Sequence, residues 1–104
     1  MTDEAILTMA TQPDTREEGF RQLVITYQQR LYHVIRRQVP SHEDADDILQ
    51  NTFIKVFRHL GGFENRSELY TWMYRIANNE VINHLNRSKR NRVEELKTND
   101  SRQA

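Results

Sequence analysis

The chain has 104 residues, 15 acidic and 15 basic side chains and no cysteine. That is enough for one small domain, excludes disulfide and thiolate chemistry, and fits a cytoplasmic protein. The acidic start "MTDEAILTMATQPD" is unlike a signal peptide, and no apolar run is long enough to span a membrane. Zero net charge hides a polarity: residues 1–68 carry 11 acids and 8 bases, residues 69–104 carry 4 acids and 7 bases. Such asymmetry points to an anionic partner at one end and a different partner elsewhere.

Taken in order, the elements are all helical. A short first helix, about Asp3 to Ala10, carries Ile6, Leu7 and Met9 and stops at "TQPDT". The second starts near Asp14 or Thr15, with Glu17 and Glu18 in the first turn, where acids favour the helix dipole. Its stripe is Phe20, Leu23, Val24, Tyr27, Leu31, Val34 and Ile35, stepping by three and four. Pro40 ends it. Ser41 caps the third helix, with Asp44 in capping-box position. Ile48, Leu49, Phe53, Val56, Phe57 and Leu60 form its apolar band, and Gly61-Gly62 stop it. The fourth begins at a cap over Asn65–Ser67, turns Leu69, Trp72, Met73, Ile76 and Ala77 inward, and runs to about Ser88. The expected fold is an all-α, compact four-helix domain over residues 1–92. Residues 93–104 are expected to be a linker or disordered tail.

The fourth helix carries an unusual polar face. At about 100° per residue, Thr71, Arg75, Asn78, Asn79, Ile82 and Asn86 form one stripe beside the core face. Asparagine is a poor helix former, so these amides cost stability. Amides suit base edges, and arginine suits phosphates. The stripe leads into "NRSKRNR", and Phe63 lies in the loop before it. Expected nucleic-acid contacts are Phe63, Asn65, Ser67, Thr71, Arg75, Asn78, Asn79, Asn83, Asn86, Arg87, Lys89 and Arg90. The set suits melted or single-stranded DNA better than a plain major groove. Blander uses also fit: Phe63 as a loop anchor, Trp72 and Tyr74 as packing, the asparagines as a solvated surface. In the third helix Glu43 and Asp44 match the dipole, while Asp47 and Gln50 share a face with Ile54, a polar-rimmed patch suited to protein docking.

"DADDILQNTFIKVFRHL", Phe63 and "LYTWMYRIANN" together resemble region 2 of the bacterial RNA polymerase sigma factors, in particular the extracytoplasmic-function group. The resemblance spans roughly residues 5–92 and implies a sigma region 2 fold. It implies that Asp46, Asp47, Gln50, Asn51 and Ile54 dock on the clamp helices of the polymerase largest subunit. It further implies that residues 63–90 recognise and melt the promoter minus-ten element, with Phe63 and Asn79 forming a pocket for a flipped non-template base. Partners would be the polymerase core, promoter DNA and, as for many members, an anti-sigma factor. Asn51 departs from the family pattern, which usually has an acid there. The second sigma domain is absent from this sequence, which reads either as a fragment or as a domain that acts alone. No cofactor is expected. An enzyme is not expected either, because no nucleophile–base pair, metal-ligand spacing or phosphate loop is visible. The alternative is a helical DNA-binding or partner-sequestering module that acts without polymerase.

Overall fold

A computed structural model describes residues 1–63 and 68–103, with side chains as far as residue 94. Four α-helices follow one another with no strand among the described residues: α1 (Asp3–Ala10), α2 (Arg16–Arg36), α3 (His42–His59) and α4 (Leu69–Gln103). A 3-10 turn, Leu60–Gly62, follows α3.

Two of the helix starts are fixed by side-chain caps. The Thr2 hydroxyl accepts from the Ala5 N–H at 3.1 Å and caps α1. Ser41 Oγ accepts from the Asp44 N–H at 3.1 Å and caps α3 as its sequence predicts. The α1–α2 link is closed by Thr15, whose hydroxyl donates to the Met9 carbonyl at 2.8 Å. Between α2 and α3 the Arg36 guanidinium donates to the Val39 carbonyl at 2.8 Å, and Val39 itself is buried. After Gly62 the Phe63 N–H returns to the Leu60 carbonyl at 3.1 Å.

The core draws on all four helices. Ile6 and Ala10 from α1 meet Leu23, Tyr27, Leu31 and Ile35 from α2, Ala45, Ile48, Phe53 and Val56 from α3, and Leu69, Met73, Ala77 and Val81 from α4. The buried Thr52 hydroxyl donates to the Ile48 carbonyl at 2.7 Å, so it leaves no orphaned polar group. Gly19 sits where α1 crosses α2. A Cβ there would lie 2.4 Å from the Ala10 nitrogen and 2.7 Å from the Met9 carbonyl carbon. Two helix backbones come this close only with hydrogen on one side.

Polar contacts fix α4 against its neighbours. The Tyr27 hydroxyl donates to the Asp3 carboxylate and its ring stacks on Tyr70, 5.9 Å between centroids. Burial, then that hydrogen bond, push the Tyr27 hydroxyl up to about 12. The Arg30 guanidinium lies 3.8 Å over the Tyr70 ring, within cation–π range. On the α3 side, Lys55 pairs with Glu80, a carboxylate only 4% exposed, and His84 Nε2 stands 3.5 Å from Asp44 Oδ1.

Two features depart from the periodicity. Phe57 is not in the inner band: it is 38% exposed, packed edge-on against Phe20 at 5.0 Å and lying under Arg16. Ala45, Ile48, Thr52 and Val56 mark the inner side of α3, and Phe57 stands about 100° round the helix from Val56. The fourth helix also does not stop near Ser88, because its backbone is helical to Gln103 across the stretch expected to be a linker or disordered tail. Val81 is its last buried residue among those with described side chains, and from Ile82 to Glu94 all side chains but half-buried His84 are exposed. The molecule therefore measures 62 × 24 × 23 Å with a radius of gyration of 17.5 Å, against about 13 Å for a compact domain of this length. The compact four-helix core is as expected, with a helical arm projecting from it.

Candidate nucleic-acid and partner faces

Position along α4 decides which polar residues point where. Ile82 follows Met73 by nine residues, so it lies roughly 180° from the core side at about 100° per residue. Ile82 is 55% exposed, and Arg75, Asn79, Asn86 and Lys89 are exposed beside it. Thr71 and Asn78 are half-buried at the edge of this outward stripe. Asn78 already has a partner: its amide oxygen accepts from Gln38 Nε2 at 3.2 Å, tying the α2–α3 link to α4.

The remaining expected contacts turn towards α3. Asn83, Asn86, Arg87 and Arg90 line a groove whose other wall is Asn51, Ile54, Lys55 and Arg58. The single expected face is thus two: an outward stripe read from Arg75, Asn79 and Ile82, and a groove against α3. Asn86 borders both. Buried Glu80 forms the floor of the groove, paired with Lys55. Lys55, Arg58 and Glu80 were absent from the expected set. One signal pointed to Glu80: it is the only acid among residues 69–93.

Phe63 is half-buried, and its ring lies 5.0 Å from Trp72, tilted by 41°. It packs against the start of α4 and stays partly exposed. Asn65 and Ser67 lie outside the described residues. Trp72 and Asn79 are seven residues apart, so they share one side of α4 about 10 Å apart along its axis.

On α3, Asp46, Asp47, Gln50, Asn51 and Ile54 are all exposed, Ile54 at 48%. Asp46, Gln50 and Ile54 border a second, more apolar groove whose floor is Phe20, Val24, Leu49, Phe53 and Phe57. Asn51 lines the α4 side instead, and Asp47 stands on the ridge, lining neither groove. The α2 contribution to the apolar groove, Phe20, Val24 and Gln28, was not foreseen. No cluster of three or more His, Asp or Glu able to hold a metal occurs among the described residues, and no described helix is long and apolar enough to cross a membrane.

The family profile described as Sigma-70 region 2 matches residues 23–91. The chain belongs to this family. Its relatives place this region 2 domain with the ECF sigma factors, which are transcription initiation factors and not enzymes. It is 38% identical over 85 residues to the ECF RNA polymerase sigma-E factor of Salmonella typhimurium, covering 82% of this chain and 43% of that protein. It is 40% identical over 83 residues to the RNA polymerase sigma-H factor of Pseudomonas aeruginosa, covering 80% and 42%. The region 2 domain thus spans less than half the length of these curated relatives. Among solved structures, an engineered region 2 of sigmaE in complex with GTAAAA superposes with a TM-score of 0.78 at 33% identity, covering 88% of this chain and 93% of that one.

Proposed function

We propose that this region 2 domain docks on RNA polymerase core through the exposed ridge of α3 and captures a flipped non-template base of the promoter minus-ten element on α4. The observation that carries the reading is the outward stripe of α4: Arg75, Asn79 and Asn86 are exposed and take no part in the core. Phe63 and Trp72 stand beside it. An unpaired base set on the free side of Phe63 would bring its polar edge towards Asn79, whose amide both donates and accepts. Flipping a base costs a few kcal/mol, which stacking and a bidentate amide contact offset. The solved complex of an engineered region 2 of sigmaE with GTAAAA supports a nucleic-acid ligand for this fold.

Docking is assigned to Asp47, Gln50 and Ile54 on the α3 ridge, with Asp46 and Asn51 on its flanks. A polar-rimmed apolar patch is what a protein partner requires. The relatives' names support polymerase as that partner. The deciding experiment is fluorescence binding of a single-stranded oligonucleotide containing GTAAAA, with and without core polymerase. The bases are varied one at a time. Asn79→Ala should lower affinity for the preferred base by about 1–3 kcal/mol and for other bases by less. Equal loss on every base would leave only a sequence-blind basic surface. Tight binding to duplex but not to the single strand would favour a module that acts without polymerase.

A further inference from the structure

We infer that Gln38 is a positioning residue: it holds the Asn78 amide with its N–H donors towards the strand, so that Asn78 selects a base presenting a carbonyl over one presenting an amino group. The orientation is set at the end of α2. The Gln38 N–H bonds the Ile35 carbonyl at 3.0 Å instead of continuing the helix to Val34. The Val34 carbonyl is thus one of the acceptors that a helix C-terminus leaves over. The Gln38 side chain satisfies it, with Nε2 donating at 3.1 Å. A backbone carbonyl can only accept, so Gln38 must turn its nitrogen, not its oxygen, to this side.

The same nitrogen faces Asn78 at 3.2 Å. The amide oxygen of Asn78 is the one atom of that group able to accept from it. That oxygen is therefore committed to the α2–α3 link, and the NH2 turns away from the link. Among the described residues nothing else bonds this NH2. Asn78 stands at the edge of the outward stripe, one residue from Asn79 and about 100° round the helix from it. The two amides thus differ in what they offer. Exposed Asn79 can donate or accept, whereas Asn78 offers donors alone. Guanine and thymine present carbonyl oxygens, and adenine and cytosine present amino groups. A donor-only group pairs with the first two and stays unpaired against the amino group of the others. This inference rests on the proposed reading of the stripe, but it concerns a different base from the one set against Asn79.

The test is a ratio, which cancels any uniform change in charge or stability. The 104-residue chain, alone and with core polymerase, is titrated with single-stranded oligonucleotides containing GTAAAA, each position filled in turn by each of the four bases. In the parent, one position should favour guanine or thymine over adenine and cytosine by about two- to tenfold, the worth of one hydrogen bond. Asn78→Ala should abolish that ratio. Gln38 is exposed and outside the core, so its variants should fold. Gln38→Ala frees the amide to turn over, and the ratio should fall towards one. Gln38→Lys still donates and should keep it. Gln38→Glu, as a carboxylate, only accepts. It should draw the Asn78 NH2 inwards, turn the oxygen outwards and invert the preference. A merely structural link predicts no inversion. A ratio unmoved by both Gln38→Ala and Gln38→Glu overturns the proposal. So does an equal loss on all four bases for Asn78→Ala. Failure of Asn79→Ala to discriminate bears on its own base position and leaves this ratio untouched.

Discussion

Tyr27 shows how much one side chain can join. Its ring stacks on α4, its hydroxyl donates to α1, and it is rooted in α2. Its raised pKa has a consequence for stability. An unfolded tyrosine loses its proton near 10, whereas Tyr27 in the fold keeps it to about 12. Between those values the unfolded chain binds fewer protons, so stability falls as pH rises and is intact below 10. Denaturant melts of the parent against Tyr27→Phe should show this alkaline decline reduced in the variant. A second prediction at this scale separates two asparagines. Asn78 is held by Gln38, so Asn78→Ala should change affinity for a minus-ten single strand less than Asn79→Ala does in the same titration. The sequence put both on one polar face. It could not show that one of them is engaged, because its partner lies 40 residues away in the link between α2 and α3.

Between elements, close approach and charge pairing matter more than propensity. Alanine is favoured over glycine in a helix by about 1 kcal/mol, so propensity alone predicts that Gly19→Ala stabilises α2. The α1 backbone lies where the new methyl would go, and overpacking costs about 1–3 kcal/mol. The net expectation is loss, read as a lower denaturation midpoint. Lys55→Ala should also destabilise, by roughly 1–3 kcal/mol after allowance for the partly exposed ammonium, because it leaves Glu80 buried without its partner. Glu80→Gln should cost less, and adding it to Lys55→Ala should recover part of the loss in a double-mutant cycle. The helices themselves were legible from caps, stops and spacing. Ser41, Gly61-Gly62 and the period of α2 each carry their instruction locally. Gly19, Phe57 and Glu80 were not legible, because each takes its environment from a neighbouring helix that spacing within one helix does not reveal.

As a whole, the molecule joins a packed core to an exposed arm on one helix. Among the residues whose side chains are described, Val81 is the last buried one in α4, and beyond it the sequence could not separate a helix that leaves the core from one that stops. Most helical stability in proteins comes from packing an amphipathic face, and the described side chains of the arm beyond His84 pack no such face. The arm should therefore open without the core. Amide hydrogen exchange should show Met73, Ala77 and Val81 protected to the level of global unfolding and Lys89 to Glu94 exchanging through local opening. Uniform protection along α4 would mean that something covers the arm.

Because one unbroken helix carries both the core contacts and the distal cations, angle along it is conserved as strictly as distance. Inserting one alanine after Val81 would turn Arg87, Lys89 and Arg90 by about 100° relative to the bundle and advance them by only about 1.5 Å. An insertion of seven would move them about 10 Å outward but return them to within about 20° of their original heading. If heading matters more than reach, the seven-residue insertion keeps more of the DNA affinity than the single one. The domain would then behave as a dial, set by the number of residues between its last buried side chain and its first distal cation.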